Sequence, residues 1–439
     1  MTNDSASRAI ASLREHGERR RIAAEIHARP FESLRGPMRA SHLAMMGTDG
    51  WADLAHVKAL CQRLGGDLPE ETATHHSVAL DGFRLRWERH QEFSTYTFFV
   101  SGAPDDVSAP LGQPALDAAP RDWLADLPGE LMVATHLVLE ARETPERSVH
   151  DIVEVFGTEN VAGSEVADGA ARAYTDFRLH ADGYSHILIQ DRGLPPRRAG
   201  RLVQRLLEIE TYRILALLAL PVARETTSTL GNLETGLKEV TQRITGGGNL
   251  ESEQGLLQEI SGLSAELERV TAWNSFRLSA ARAYSSLVHR RIQHIREHRI
   301  NELQTLEEYL ARRFTPAMRT CESVAERQET LARRLSRAAD LLRTRVDIAL
   351  EAQNRDLLAS MNRRTDLQLR LQQTVEGLSV LVMSYYGTGL VYYLASGIHG
   401  LGVPFSVDIA VGAAVPLVAL SAFLGIRAMR RRVLGPEDH

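Results

Sequence analysis

The C-terminal end of the chain has the most distinct hydrophobic pattern. No Asp, Glu, Lys or Arg lies between Gly377 and Val407, and after Asp408 the apolar run resumes through Ile426. A membrane-spanning helix needs about 20 mostly apolar residues, and residues 377–396 and 407–426 both meet that length. The pattern predicts two transmembrane helices joined by a short loop. Burial of the same two helices in the core of a soluble protein is the alternative interpretation.

Charges beside these runs predict their orientation. Arginines 363, 364 and 370 precede the first run, arginines 427 and 430–432 follow the second, and the loop 397–406 has no Lys or Arg. The positive-inside rule then places both flanks, and the basic tail 427–439, in the cytosol. The N-terminus has no apolar signal segment, so the bulk of the chain is expected on the cytosolic side of a bacterial inner membrane, with the loop in the periplasm.

Residues 196–376 show the periodicity of long packed helices. Apolar residues recur at alternating spacings of four and three, as in Leu256, Ile260, Leu263 and Leu267. Helix breakers at Pro221, 246–248 and Pro316 divide the region into four predicted helical pieces. The stripe is typical of a helical bundle or coiled coil, and the last piece is expected to continue into the first apolar run.

Short β-prone runs dominate residues 71–195. Strands are predicted at 77–80, 83–89, 96–100, 131–139, 151–156, 171–179 and 184–189, with Asp81-Gly82 as a hairpin turn. Helices are expected at 53–64 and 120–126, and residues 103–120 are expected to form a loop. The chain is therefore predicted to be α+β, with an N-terminal segment 1–70, a mixed α/β domain, a helical middle and two C-terminal spans.

Composition narrows the class of protein. The chain has 439 residues, 44% hydrophobic and 24% charged, and its mean hydropathy of -0.21 excludes a protein that is mostly membrane. A net charge of -5 gives no overall basic field, which argues against nucleic acid as a partner. The two cysteines, Cys61 and Cys321, form no disulfide framework and indicate buried thiols in a reducing compartment.

Candidate chemistry is sparse. His294 and His298 form an H-x-x-E-H string around Glu297, which on a helix puts two imidazoles one turn apart, as in inverted zincins. Neighbouring arginines and the lack of an assured third ligand favour a solvated helix face, while metal binding stays open. His75-His76 is expected at a strand edge, and 246–249 at a turn between helices. No nucleotide, kinase or hydrolase motif occurs, so no cofactor is predicted and no specific pattern supports an enzyme activity.

One N-terminal segment has a residue pattern that solubility alone does not explain. It contains His27, Arg29, Pro30, Phe31 and Glu32 within the string HARPFE. Together with the helical middle and the paired apolar runs, this segment resembles the proteobacterial membrane-anchored proteins of domain of unknown function family 3422. The resemblance implies a bacterial inner-membrane protein and no particular activity. Packing of the segment on the sheet domain is the structural interpretation of these residues.

The overall layout also resembles the CorA-type magnesium channels, in which the fold implies a homopentamer with a Gly-Met-Asn motif at the outer mouth. That motif is absent here, and the nearest string starts at Tyr386 in mid-span. Hydroxyl residues nevertheless recur every four positions along the first run, and one carboxylate begins the second. These candidate pore-lining or helix-packing residues are Ser384, Thr388, Tyr392, Ser396 and Asp408.

Two hypotheses follow from these patterns. The first is a membrane-anchored structural or interaction protein, which uses its cytosolic part to recruit a protein partner or to assemble. The second is a CorA-like divalent cation channel or transporter, the only one of the two that requires a metal ion. Homo-oligomerisation is expected under both hypotheses.

Overall fold

The computed structural model describes residues 16–19, 31–47, 49–106, 108–300, 302–401, 404 and 406–433, without the side chains of residues 50 and 430–433. The chain divides into two compact units. The first comprises Met1–Arg243 and Glu259–Ala338, and the second comprises Ile244–Gln258 and Ala339–His439. The described residues leave out most of the N-terminus, which was predicted to have no signal segment. They also leave out His27, Arg29, Pro30 and the end of the basic tail.

A nine-stranded sheet forms the centre of the first unit. Its strands are β1 (Met38–Met46), β2 (His75–Leu80), β3 (Phe83–Arg89), β4 (Phe93–Ser101), β5 (Glu130–Leu139), β6 (Ala162–Val166), β7 (Ala171–Thr175), β8 (Ser185–Asp191) and β9 (His298–Arg299). Their order is β2-β3-β4-β1-β5-β8-β7-β6-β9. Only the β5–β8 pair among these is parallel, and the other pairs are antiparallel. The predicted α+β class is confirmed.

The strand β1 is not among the predicted strands, although it lies inside the sheet. It pairs along its whole length with β4 on one side and β5 on the other. Leu43 and Met45 enter the core on one face, while His42 and Ala44 are buried on the opposite face. Because both faces are covered, the strand lacks the apolar-polar alternation that identifies half-exposed strands.

The core on the first face of the sheet is rich in aromatic residues. Trp87, Tyr96 and Phe98 are fully buried there, and Trp123 packs edge-on against both Tyr96 and Phe98. Helix α1 (Gly50–Leu64), a 3-10 turn (Ala115–Ala118) and helix α2 (Arg121–Ala125) supply residues to this core. The two predicted helices are thereby confirmed, and the hairpin turn at residues 81–82 joins β2 to β3.

The predicted strand at 151–156 is wrong. These residues belong to helix α3 (Val149–Phe156), which begins with a reciprocal capping box between Ser148 and Asp151. Ile152 and Phe156, one helical turn apart, are its buried residues. The short apolar run is compatible with either structure, and the Ser-x-x-Asp cap decides in favour of the helix. The strand β6, which follows this helix, was not among the predicted strands.

Five further helices follow the strand β8 in the described part of the chain. They are α4 (Pro196–Leu217), α5 (Ala219–Thr245), α6 (Leu250–Ile295), α7 (Leu306–Gly400) and α8 (Val407–Val433). The predicted turn at 246–248 is confirmed, and the Asn249 side chain accepts a hydrogen bond from the Ser252 N–H as the α6 cap. The predicted break at Pro316 is wrong, because Pro316 lies inside α7 and the chain breaks instead between Ile295 and Leu306.

A buried polar trio joins three helices within the first unit. The Asn274 amide in α6 donates to Thr226 of α5 at 2.9 Å, and the Gln328 amide of α7 donates to Asn274 at 3.2 Å. Apolar positions of the predicted stripe surround this layer and are buried, among them Ile260, Leu267, Val270, Leu331 and Leu335. A satisfied polar layer in an apolar bundle fixes which helical positions face one another.

Candidate functional site

The second unit carries an exposed apolar hairpin formed by the end of α7 and by α8. Both helices are long and apolar enough to cross a membrane, and only 6% of the residues in each apolar window are buried. Its exposed side chains include Leu381, Tyr386, Leu390, Leu417 and Leu424. A core helix of a soluble protein would be mostly buried, so the exposure favours membrane association over a soluble core.

Small residues bring the two helices of the hairpin together. A Cβ added to Gly387 would lie 2.4 Å from a methyl carbon of Val418, and Ala395 on the same face of α7 is buried. A glycine that makes room for a side chain of the neighbouring helix is typical of helix pairs in membranes. The inner face of the α7 span is therefore a packing surface for α8.

The predicted hydroxyl row divides between two environments. Ser384 and Thr388 are half-covered, and each hydroxyl donates to the carbonyl four residues earlier, at 2.7 and 2.8 Å. Ser396 is also half-covered, whereas Tyr392 is exposed. Asp408 is exposed in the first turn of α8. The structure thus brings Ser384 and Thr388 to the covered side of α7, while Tyr392 points away.

The part of the HARPFE segment that is described runs along the start of α4. The Arg201 guanidinium lies 4.7 Å from the ring centre of Phe31, and the Ser77 hydroxyl donates to the Glu32 carboxylate. A Cβ on Gly200 would lie 1.6 Å from the Glu32 carbonyl oxygen. The segment can take this path only because position 200 has no side chain.

A cavity of about 280 Å³ lies between this segment, one face of the sheet and α4. Ionised groups in its lining occur as pairs. Arg86 is 2.9 Å from Glu88, and Arg291 contacts Glu208. The Gln204 amide donates to Glu208 at 2.8 Å, and its oxygen accepts from Arg86 at 3.4 Å. The third acid of the lining, Glu32, is 3.5 Å from Arg84, which lies outside the lining, so each of the three acids has an arginine partner.

A buried histidine closes the floor of this cavity. The Thr211 hydroxyl donates to the Leu207 carbonyl at 2.8 Å, so the Nε2 of His42 donates to Thr211, at 3.1 Å. The Nδ1 of His42 is then the acceptor for Thr97 at 2.8 Å. Burial lowers the pKa of His42 to about 4. The imidazole is therefore neutral and has both nitrogens occupied.

A column of stacked rings lies on the opposite face of the sheet, and the sequence patterns did not indicate it. His136 stacks on Tyr184 at 3.8 Å, and His186 stacks on His180 at 4.0 Å. His136 also hydrogen-bonds Ser41 of β1 at 3.0 Å. Burial lowers the pKa of His136 to about 4. The alternation of Tyr184 and His186 is the only local signal that could have suggested this column.

The H-x-x-E-H string does not form a zincin-like helix face. Helix α6 ends at Ile295, Arg296 adopts a left-handed φ of 50°, and His298 belongs to β9. The expectation of two imidazoles one turn apart on one helix is therefore wrong. In the part of the chain that the structure describes, no group of three or more His, Cys, Asp or Glu side chains could hold a metal ion.

Glu297, the acid of this string, caps the start of α7. Its carboxylate accepts from the backbone N–H groups of Leu306 and Glu307 at 3.1 and 2.9 Å, and from the Ser164 hydroxyl at 2.6 Å. Burial raises the pKa of this carboxyl group above its ordinary value. The residue joins β6 to α7 and has a structural role.

Replacing the capping acid tests that role. Glu297→Ala removes acceptors from two helix N–H groups, and we expect the free energy of unfolding to fall by about 1–2 kcal/mol. Urea denaturation of the full-length protein in detergent measures the change, and addition of Zn²⁺ should not alter it. The matched variant His294→Ala, at an exposed position, should leave stability unchanged. Equal losses in the two variants would contradict the capping role.

These observations define an α+β protein with a large sheet-and-helix unit and two candidate membrane-spanning helices. The chain belongs to the family described as protein of unknown function (DUF3422), which matches residues 14–433. The predicted family is thereby confirmed. A search of curated proteins and a search of solved structures gave no match, so the CorA-like layout stays a prediction.

Proposed function

We propose that the protein is an oligomeric interaction protein anchored in the bacterial inner membrane by the α7–α8 hairpin. The observation that carries this proposal is the exposure of the hairpin, whose apolar side chains are uncovered along two helices of membrane-spanning length. The bilayer is the partner that would cover them. No constellation of catalytic groups accompanies the hairpin in the described residues.

The orientation proposed for the hairpin follows from the charges at its ends. Arg363, Arg364 and Arg370 lie in α7 before the apolar part, and Arg427 follows the apolar part of α8. The connector between Gly400 and Val407 has neither Lys nor Arg. Both flanks therefore belong on the cytosolic side, and the connector belongs in the periplasm.

Self-association is supported by an apolar row on α7 in the second unit, which we call the α7 stripe. Its members recur at heptad positions, and their exposed fractions range from 39% to 68%. They are Leu350, Leu357, Met361, Leu371, Val375, Leu378 and Val382. Arg364 and Gln368 interrupt the row, and the remaining circumference carries both charged residues and exposed leucines, such as Leu358 and Leu367. An apolar heptad row with this much uncovered surface suits the same row of a second copy.

A partner protein in the cytosol would meet a different surface. Trp273 and Phe276 of α6 are 59% and 55% exposed, one helical turn apart in the first unit. Exposed aromatic side chains are enriched where proteins bind one another. We assign the partner-binding part of the proposal to this pair.

The alternative function is a CorA-like cation channel. It requires a hydroxyl row that faces a pore. The Ser384 and Thr388 hydroxyls are bonded to carbonyls of their own helix and lie on its half-covered side. This arrangement supports a packing role for them. Cation flux in proteoliposomes that is lost in Thr388→Val or Asp408→Ala would favour the channel instead.

Membrane anchoring is tested by fractionation of cells that express the full chain. We expect the protein in the membrane pellet after an alkaline carbonate wash, and a chain truncated after residue 376 in the supernatant. Full-length protein released by carbonate would overturn the anchoring. Protease added to spheroplasts should leave the large N-terminal unit intact, since that unit is proposed to be cytosolic.

Self-association is tested by the mass of the detergent-solubilised protein, measured by light scattering with subtraction of the detergent. We expect an oligomer, and its mass should fall to that of the protomer in Leu357→Glu/Met361→Glu, which puts like charges into the α7 stripe. The control Arg355→Glu/Ala359→Glu places the same acids on the opposite side of the helix and should stay oligomeric. A wild-type monomer would exclude the oligomer, and equal masses in both double variants would exclude the stripe as its interface.

A further inference from the structure

A pocket rich in arginine lies in the first unit, where the first turns of α4 approach the end of α6. Its volume is about 230 Å³. Arg198, Arg201 and Arg205 of α4 line it together with Arg296. Spacings of three and four residues place the three α4 arginines on one face of that helix. Among the described lining residues the only acid is Asp168, so four positive charges face one negative charge.

The contacts of these arginines leave the excess charge uncompensated. Arg296 is 2.9 Å from the Asp168 carboxylate and Arg198 is 4.0 Å from it, so both share one acid. Arg205 donates to the His294 carbonyl at 2.8 Å, and Arg201 lies over the Phe31 ring. The last two contacts fix the direction of the guanidinium groups but add no full negative charge.

The neighbouring charges also change the pKa of one arginine in this pocket. Partial burial and the positive charges of Arg201 and Arg291 lower the pKa of Arg205, although the Glu208 carboxylate acts in the opposite direction. Like charges held together at the surface of a domain cost free energy, which a bound anion recovers. The pocket also adjoins the first turns of a 22-residue helix, whose macrodipole is positive at this end.

We propose that this pocket binds a phosphate-bearing anion through Arg198, Arg201, Arg205 and Arg296. Guanidinium groups match phosphate oxygens with paired N–H donors, which is why arginine clusters are typical of phosphate sites. The volume is below the range of roughly 300–1,000 Å³ that is usual for drug-sized ligands. A single phosphate or diphosphate group therefore fits better than a whole cofactor.

The phosphate can come from a free anion or from the headgroup of a lipid, and the two sources are separable by experiment. We would titrate the full-length protein in a neutral detergent with inorganic pyrophosphate by calorimetry. A second titration would use dihexanoyl phosphatidylglycerol, with the matching phosphatidylcholine as the neutral comparison. Binding of pyrophosphate identifies a free anion, and selective binding of phosphatidylglycerol alone identifies a headgroup. Either result supports the site.

Variants connect binding to the pocket. We expect the Kd of the bound probe to rise at least tenfold in Arg201→Gln/Arg296→Gln. Arg197→Gln, in the same helical turn but not among the described lining residues, should keep the wild-type Kd. If the double variant does not fold, Arg198→Gln alone, at a half-exposed side chain, should still weaken binding severalfold. The proposal is overturned if no probe binds, or if the pocket variants and Arg197→Gln bind equally well.

Discussion

Gly200→Ala is expected to destabilise the protein by on the order of 3 kcal/mol, near the upper end for an added methyl group in a tightly packed site. The new Cβ would lie 1.6 Å from the carbonyl oxygen of Glu32, and backbone cannot rotate away as a long side chain can. Either α4 or the segment carrying Phe31 and Glu32 has to move. Movement of that segment would also open one wall of the 280 Å³ cavity.

The matched control is Gly231→Ala, in the middle of α5, where an added Cβ has no atom within 4 Å. Alanine favours helix over glycine by about 1 kcal/mol, so this variant should be slightly more stable than the natural protein. Urea denaturation followed by tryptophan fluorescence gives both values, because Trp87 and Trp123 are buried in the sheet core. Similar stabilities for the two variants would show that the segment does not pack on α4 as described.

The second large effect is acid sensitivity between pH 6.5 and pH 4. His42 and His136 are neutral in the folded protein, with pKa values of about 4, while the unfolded chain takes up protons below the ordinary value of about 6.5. The unfolded state therefore binds more protons in this window, and stability falls as the pH falls. Each histidine lowers the free energy of unfolding by about 3 kcal/mol once the pH reaches its folded pKa, because protonation of the unfolded chain becomes more favourable as the pH falls.

Denaturation at a series of pH values between 7 and 4 measures this dependence. His42→Gln is expected to lower stability at pH 7, because Thr97 and Thr211 lose their partner, and to reduce the slope with pH. His150→Gln removes an exposed histidine and should keep the full slope. A slope that is the same in His42→Gln and in the natural protein would refute the role of His42, and His136→Gln tests the second site in the same way.

The sequence predicted those parts of the fold in which one local signal decides the structure. The apolar hairpin, the turn capped by Asn249 and the strands β3 and β5 follow from run length, caps and alternation. The strand predicted at 151–156 was wrong although the local cap of Ser148 and Asp151 favours a helix there, and two further predictions were wrong for a different reason. Arg296 ends α6 in a left-handed conformation without glycine, and Pro316 is accommodated inside α7. Neither outcome has a signal in the neighbouring residues.

The candidate sites were less predictable than the fold. The cavity unites Glu32, Arg86, Glu208 and Arg291, which come from a segment, a strand and two helices that are far apart in the sequence. The arginine pocket depends in the same way on α4 meeting the end of α6. Of the cavity residues, sequence patterns indicate only Glu32, through the HARPFE segment. Its position beside the cavity gives that segment a structural context that its residue types alone do not provide.

The place of β1 has a consequence for synthesis of the chain on the ribosome. The β2, β3 and β4 strands form a meander whose hydrogen bonds can form as the residues emerge, but β1 needs β5 on its other side. The strand made first must therefore keep one edge unpaired until Leu139 is available, when about a third of the chain has been made. Contacts between residues so distant in sequence form slowly, so the pairing of β1 with β5 is completed after the β2-β3-β4 side of the sheet.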